Sequence, residues 1–407
     1  MREPEEVPYA RPYWDAEEEA LLLRALRSGM WTNGPLVREF EGALSRLTGA
    51  ATVALSSGTA AVHALLHALG SGRDGPALLI TPALTFAAAP AAALLQGWDV
   101  ALADVTEDDL TLSPTSVGEL LERTSGAYAL TVVMPVHYAG HTADVAALGA
   151  LCSRYGAVLV EDACHAAGAH YGGTGLPVGS WPDSRAAYFS FHPVKPVATG
   201  EGGAVSSGDT RLVERLRAYR NHCMTPLPEH EGDLAPWPYT VAEPGANHRM
   251  SELHAALGVA QVGRVDVSRR ERARLAGEYH RALAELPSVR TVPRRQRPGS
   301  AHHLFPVVFD LGRLGVSKRA LLEFFTGHRI RCQVHYTPLH RLPAFAGTPT
   351  RLRTSLDVTD AAFPGLVSLP LWHGLDSAAH ERVVDTLRRL VLRTGGTGRP
   401  RVERTAS

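Results

Sequence analysis

Lys195 lies within Tyr188-Phe-Ser-Phe-His-Pro-Val-Lys-Pro-Val-Ala-Thr-Gly-Glu-Gly-Gly203, and only it and Lys318 are lysine among the chain's 41 lysines and arginines. Arginine cannot be deprotonated in a protein, whereas a lysine amine can lose its proton and attack a carbonyl. A lysine kept in an arginine background points to that job. Its surroundings suit it: prolines on both sides stiffen the backbone, an aromatic-rich stretch from Ala187 to Phe191 precedes it, and a glycine-rich turn follows. The competing reading is a surface lysine in a loop, the usual fate of the residue. Lys318, in Gly-Val-Ser-Lys-Arg-Ala, fits that ordinary case and Lys195 does not.

A lysine that forms a Schiff base with pyridoxal phosphate needs a carboxylate for the pyridine nitrogen, an aromatic face for the ring and an anion site for the phosphate. The chain offers each. Asp162 ends the apolar run Val158-Leu-Val-Glu-Asp162, where a semi-buried carboxylate needs a cation; alone, it reads equally well as a helix cap. Ser57-Gly58-Thr59 at a helix start would present backbone N–H groups to an anion, although serine and threonine are also ordinary caps. Phe86 can stack on a ring or be core. Ser190, five residues before Lys195, can add a hydroxyl to the phosphate. Their joint placement carries the reading.

The elements that must position these residues alternate. Short apolar strands are expected at Thr52–Leu55, Leu78–Thr81, Val100–Asp104, Thr131–Val136 and Val158–Glu161, with helices from Ser56 to Leu69, Phe86 to Leu95, Pro114 to Arg123 and Asp144 to Tyr155. Such alternation argues for a mostly parallel sheet covered on both faces, with ligands at the carboxyl ends of the strands. Ser57, Phe86, His137, Asp162 and Ser190 all fall at those ends. Before the sheet come an amphipathic helix from Asp15 to Ser28 and a second from Leu36 to Leu47. Between them the turn Met30-Trp-Thr-Asn-Gly-Pro35 is either a connector or a substrate-lining loop exposing Trp31 and Thr32. A long helix from Ser251 to Leu286, capped by Ser251, leads to a smaller α/β unit. There we expect strands at Leu304–Phe309 and Arg331–Tyr336 and helices at Ser317–Gly327 and Ser377–Leu392. The division is a large domain over 1–260, a smaller one over 261–393 and a frayed tail over 394–407.

A chain of 407 residues with zero formal net charge gives no basic face for nucleic acid. The acidic, proline-bearing start is wrong for a targeting peptide, no window is apolar enough to span a membrane, and four scattered cysteines suggest reduced thiols, so a cytoplasmic location is expected. His137 and His141 are four apart, but Tyr-Ala-Gly between them reads as a loop, so no metal pair is expected. His335 and Tyr336 either line the site's mouth or simply pack there.

Taken together, Ser190-Phe-His-Pro-Val-Lys-Pro with Thr199-Gly-Glu-Gly-Gly203 resembles the Schiff-base segment of the DegT/DnrJ/EryC1/StrS sugar aminotransferases. Ser28-Gly-Met-Trp-Thr-Asn-Gly-Pro35, Ala54-Leu-Ser-Ser-Gly-Thr59, Pro135-Val-His-Tyr-Ala-Gly-His141, Glu161-Asp-Ala-Cys-His165 and Ser368-Leu-Pro-Leu371 are similar to the same family, over nearly the whole chain. Pro236-Trp-Pro-Tyr239 resembles the branch that aminates a UDP-linked 4-keto-6-deoxy-hexosamine in pseudaminic acid biosynthesis. The resemblance implies the aspartate aminotransferase-like fold type I and pyridoxal 5'-phosphate, with pyridoxamine 5'-phosphate as its alternate form. It implies that Lys195 carries the Schiff base and then shuttles a proton, that Asp162 pairs with the pyridine nitrogen, and that Phe86 stacks on the ring. It places His165, where many members have glutamine, near the ring hydroxyl, and Ser57, Gly58, Thr59 and Ser190 on the phosphate. Asn247 would reach the cofactor phosphate of a neighbouring subunit in a homodimer with shared sites. The implied substrates are L-glutamate and a nucleotide-linked keto-sugar, met in part by Trp31, Thr32, His335 and Tyr336. Ala246 and His248 depart from the aromatics that commonly flank that asparagine. The alternatives are a keto-cyclitol or other carbonyl as acceptor, or a non-catalytic ligand-binding protein on the same fold.

Overall fold

The computed structural model of the protein describes residues 5–227, 238–347 and 352–395. Seven strands form its large sheet: β1 (Ala51–Leu55), β2 (Ala77–Pro82), β3 (Asp99–Ala103), β4 (Leu130–Val133), β5 (Val158–Asp162), β6 (Ser184–Ser190) and β7 (Gly203–Ser207). Their order is β1-β7-β6-β5-β4-β2-β3. Strands β3, β2, β4, β5 and β6 run parallel, while β7 is antiparallel to both β6 and β1. Every strand except β7 therefore ends at the same edge. The chain leaves β6 there, passes through Lys195 and re-enters the sheet at Gly203.

Strands buried on both faces read as continuous apolar runs, and their side chains alternate between two cores. Leu78 and Ile80 of β2, Val133 of β4 and Ala187 and Phe189 of β6 belong to one core. Leu79, Val132, Ala186 and Tyr188 belong to the other. Helices α1 (Ala16–Ser28), α2 (Pro35–Thr48), α5 (Pro114–Arg123), α6 (Val145–Tyr155) and α8 (Glu252–Gly263) cover the first face; α3 (Gly58–Gly70), α4 (Ala88–Leu95) and α7 (Thr210–Tyr219) cover the second. A hairpin of β8 (Met224–Pro226) and β9 (Tyr239–Val241) follows α7.

A separate apolar cluster gathers α9 (Val265–Leu283) and the antiparallel sheet of β10 (Val289–Thr291), β11 (Phe305–Phe309) and β12 (Leu366–Leu369). Around them stand α10 (Leu311–Leu314), α11 (Lys318–Gly327) and α13 (Ser377–Gly395), with α12 (Asp357–Ala362) on the link back to the large sheet. Val7 is buried in this cluster and bridges Ile330, so the start of the described chain is tied to its last third.

Three expectations change. The long helix from Ser251 breaks at Arg264 (φ −109°, ψ 6°) after Gly263, because that guanidinium turns aside to Asp15 and Glu18 at the start of α1. The strand expected at Arg331–Tyr336 does not form. Gln333 bridges Ser368, but its own side-chain oxygen takes the Val334 amide at 2.9 Å, which interrupts the ladder. The strand expected to reach Val136 ends at Val133, two residues before Pro135, which has no N–H to give. Pro236 and Trp237 of the resemblance, and residues 396–407 of the expected tail, lie outside the described residues.

The turn before α2 is fixed by a buried carboxylate. Glu252, 1% exposed, accepts the amides of Gly34 (3.0 Å), Leu36 (2.8 Å) and Val37 (3.0 Å). These are donors that a helix start leaves without partners. Glu252→Ala should lower the unfolding free energy by about 3 kcal/mol, since buried amides lose their acceptor. Denaturant unfolding checks this, and an unchanged midpoint would contradict it.

Candidate active site

The strand ends converge on one cavity of about 420 Å³. Ser57, Gly58 and Thr59 reach it from the end of β1, Phe86 from β2, Asp162 and His165 from β5, Ser190 from β6 and Lys195 from the loop to β7. His335 and Tyr336 close it from the second apolar cluster's side of the chain. Grooves of about 560 and 570 Å³ exist beside Arg220 and along the N-terminal segment. Volume does not decide between them: neither groove holds a lysine or a strand-end carboxylate.

One end of the cavity is built for an anion. Ser57 caps α3, its hydroxyl accepting the Ala60 amide at 3.0 Å. That leaves the Gly58 and Thr59 amides, which have no intrahelical acceptor, at a helix end that favours negative charge. The backbone there is clamped. A Cβ on Gly58 would lie 2.7 Å from Ser190 Cβ, and one on Gly203 would lie 2.3 Å from the Ser57 carbonyl oxygen. The glycines of both motifs are thus required by close approach.

Elsewhere in the cavity lies Asp162, 6% exposed. The Cys164 amide donates to its Oδ1 at 3.0 Å, and the Tyr188 hydroxyl donates to its Oδ2. Lys195 borders the same void. Burial pushes its amine below the ordinary lysine range, against the opposing pull of Cys164 and Asp162. A lysine so shifted is a nucleophile closer to neutral pH than a solvated one. An anion cradle, a buried carboxylate and a depressed amine around one void fit pyridoxal phosphate: Ser57 to Thr59 and Ser190 for its phosphate, Asp162 for its ring nitrogen and Lys195 for its aldehyde.

The remaining wall is imidazole and phenol. His165 accepts the Ala139 amide on Nδ1 (3.2 Å), so its proton sits on Nε2, 2.9 Å from the Tyr336 hydroxyl. His335 meets the Ser368 hydroxyl through Nδ1 at 2.9 Å, and Tyr9 packs against its ring. Burial holds His165 well below the ordinary histidine range and takes His335 down to about 3.

Of the residues singled out from sequence, Phe86 lines the cavity but stays 60% exposed, its ring 5.8 Å from that of Tyr336. Asn247, Trp31 and Thr32 stand away from it. Asn247 bridges Asn221, Thr32 bridges Ser251, and Trp31 is 56% exposed. His137 is tied inside the protein, donating through Nε2 to Glu161 at 2.7 Å while Nδ1 accepts the Ala143 amide at 3.1 Å. Tyr9, Tyr188, Glu201 and His303 line the cavity without having been singled out. For Tyr188 a signal existed, since it pairs with Asp162 across two adjacent strands; Tyr9 and His303 had none, being far away in sequence.

Fold and site together define a pyridoxal-phosphate-dependent aminotransferase of fold type I. Residues 12–388 match the DegT/DnrJ/EryC1/StrS aminotransferase family, and the chain belongs to it. Among solved structures it is similar to PseC of Helicobacter pylori, an aminotransferase involved in the biosynthesis of pseudoaminic acid (24% identity, TM-score 0.86, 96% of this chain and 100% of that one). It is likewise similar to S. venezuelae DesV (30%, 0.81, 95% and 99%) and to DesI (29%, 0.82, 96% and 94%).

The buried imidazoles set the acid limit of stability. His302 is held down to about 4 and His335 to about 3, against about 6.5 in an unfolded chain. Below pH ~6.5 the unfolded state therefore binds protons that the folded state refuses, and stability must fall as pH drops from there towards 4. The melting temperature should decline across that window, and His302→Asn should reduce the proton uptake on unfolding by about one. Equal slopes for both proteins would contradict the assignment.

Proposed function

We propose that the enzyme moves the amino group of L-glutamate to a keto-sugar carried on a nucleotide, in two half-reactions that share one site. The reading rests on a single observation: Lys195 borders the same cavity as Asp162 and the anion-ready start of α3. DesI was solved with its TDP-sugar product, and the Helicobacter pylori relative serves pseudoaminic acid biosynthesis; both support a sugar acceptor. No helix among the described residues is long and apolar enough to cross a membrane. We place the enzyme in the cytoplasm, which its free cysteines fit.

Bound pyridoxal phosphate supplies an aldehyde that takes up the amino group and a ring that accepts an electron pair. In this reading the chain's residues do the rest. Gly58 and Thr59 amides with the Ser57 and Ser190 hydroxyls would hold the phosphate. Asp162 would face the ring nitrogen, and the Tyr188 hydroxyl and the Cys164 amide hold its carboxylate in place. Phe86 would cover one ring face, and His165 with Tyr336 would meet the ring hydroxyl. Lys195 Nζ removes the proton from the donor's α-carbon and, in the second half-reaction, delivers one to the former carbonyl carbon of the sugar. His335 and Tyr336 stand where the acceptor enters. Trp31, Thr32 and Asn247 are exposed and do not line the cavity, and we assign them to a homodimer in which Asn247 reaches the partner's phosphate.

The purified protein should be yellow, and glutamate should bleach it; persisting colour would count against the glutamate donor. Assays with UDP- and dTDP-linked keto-sugars and keto-cyclitols then identify the acceptor, and turnover of keto-cyclitols alone would refute the sugar. Asp162→Asn should cost at least about a hundredfold in kcat, because the electron sink loses its fixed countercharge. The shared site has its own test. Inactive Lys195→Ala and Asn247→Ala proteins, unfolded and refolded together, should regain activity, since mixed dimers contain one intact site. No recovery would argue for sites complete within each chain.

A further inference from the structure

His303 is 2% exposed and lines the cavity, and its ring makes no hydrogen bond to any described residue: its Nδ1 is sealed from solvent, which leaves Nε2 as the nitrogen open to a ligand. Polar groups taken out of bulk water are almost always satisfied, so an unbonded imidazole nitrogen at a cavity wall is one that a ligand can meet. The other buried imidazoles of the wall are already engaged. His165 is held by Ala139 and Tyr336, and His335 by Ser368. The ring of His303 packs 4.5 Å from that of His165.

The charge behind His303 narrows what that ligand is. Arg272 is 5% exposed, and its described partners are all neutral. They are the His303 carbonyl (3.5 Å), the Leu371 carbonyl (3.2 Å) and the Ser268 hydroxyl (3.3 Å). A buried cation without a carboxylate leaves a positive potential around itself, and here that potential falls on His303. No arginine lines the cavity among the described residues, and its single lysine is committed to the cofactor. An acidic amino donor must nonetheless have its carboxylates met. A neutral hydroxyl would gain little from the field of Arg272, whereas a carboxylate gains both that field and the imidazole N–H.

We propose that His303, backed by the buried charge of Arg272, is the residue that receives a carboxylate of the amino donor. The assignment rests on the aminotransferase reading above and deepens it by naming a donor-side contact. Arg272 acts through the field and through the His303 carbonyl, so it is a positioning residue.

The test is equilibrium binding of glutarate, a five-carbon dicarboxylate with no amine to react, to the cofactor-loaded, full-length enzyme by calorimetry. His303→Leu should weaken glutarate at least about tenfold, as expected for a lost hydrogen bond to a charged group. His303→Gln, which keeps an N–H donor, should stay within about threefold of the wild type. Both variants should retain the visible band of the bound cofactor, which shows that the fold and cofactor site survive. Wild-type affinity in His303→Leu, equal losses in both variants, or no glutarate binding by the wild type would each overturn the assignment. A wild type that glutamate does not bleach would sink the glutamate reading. One that bleaches while His303→Leu binds glutarate normally would remove only the role of His303.

Discussion

A carboxylate taken out of water must be met by hydrogen bonds or by opposite charge, and the end of β5 is arranged around two of them. Side chains alternate along a strand, so Glu161 and Asp162 face opposite ways. Glu161 is met by His137 and by the Tyr171 hydroxyl, entirely inside the protein. Asp162 looks into the cavity with only two neutral donors, from Tyr188 and Cys164. Its backbone cannot shift to relieve this. Its amide donates to the Pro135 carbonyl at 2.9 Å and its carbonyl accepts the His137 amide at 3.0 Å. One carboxylate serves the fold, and its neighbour is left short of a cation.

Lys195 is governed by the opposite balance. Desolvation favours its neutral form and outweighs the attraction of Asp162 and Cys164. A depressed amine is not by itself diagnostic, because Lys318 is also drawn down, to about 8, by burial and by Arg341. Lys318, however, donates to the Phe363 carbonyl and lies over the Phe363 ring. What separates the two lysines is the company of an anion cradle and an unmatched carboxylate.

The large sheet and the helices that cover it were readable because the strands are short apolar runs and the helices begin at recognisable caps; Ser57, Ser113, Asp144 and Ser251 each cap as their residue types suggest. The carboxyl-end rule then brought Ser57, Phe86, Asp162 and Ser190 together from four strands. Less legible were features made by distant parts of the chain. The stretch Arg331–Tyr336 has strand composition but finds only single bridging partners, and the break at Arg264 depends on carboxylates some 250 positions earlier in the chain. His303 and Tyr9 reach the cavity from the last third and the first residues of the chain, and no local pattern marks either. Asn247, Trp31 and Thr32 carry a family pattern, but the fold does not bring them to the cavity.

Because the protein has just two lysines, the central claim can be tested without mutation. Pyridoxal phosphate reduced onto the native protein with borohydride, followed by peptide mapping, reports which amine held it. The account predicts a pyridoxyl group on the peptide containing Lys195 and none on that containing Lys318. Label on Lys318, on the terminal amine, or nowhere would contradict it.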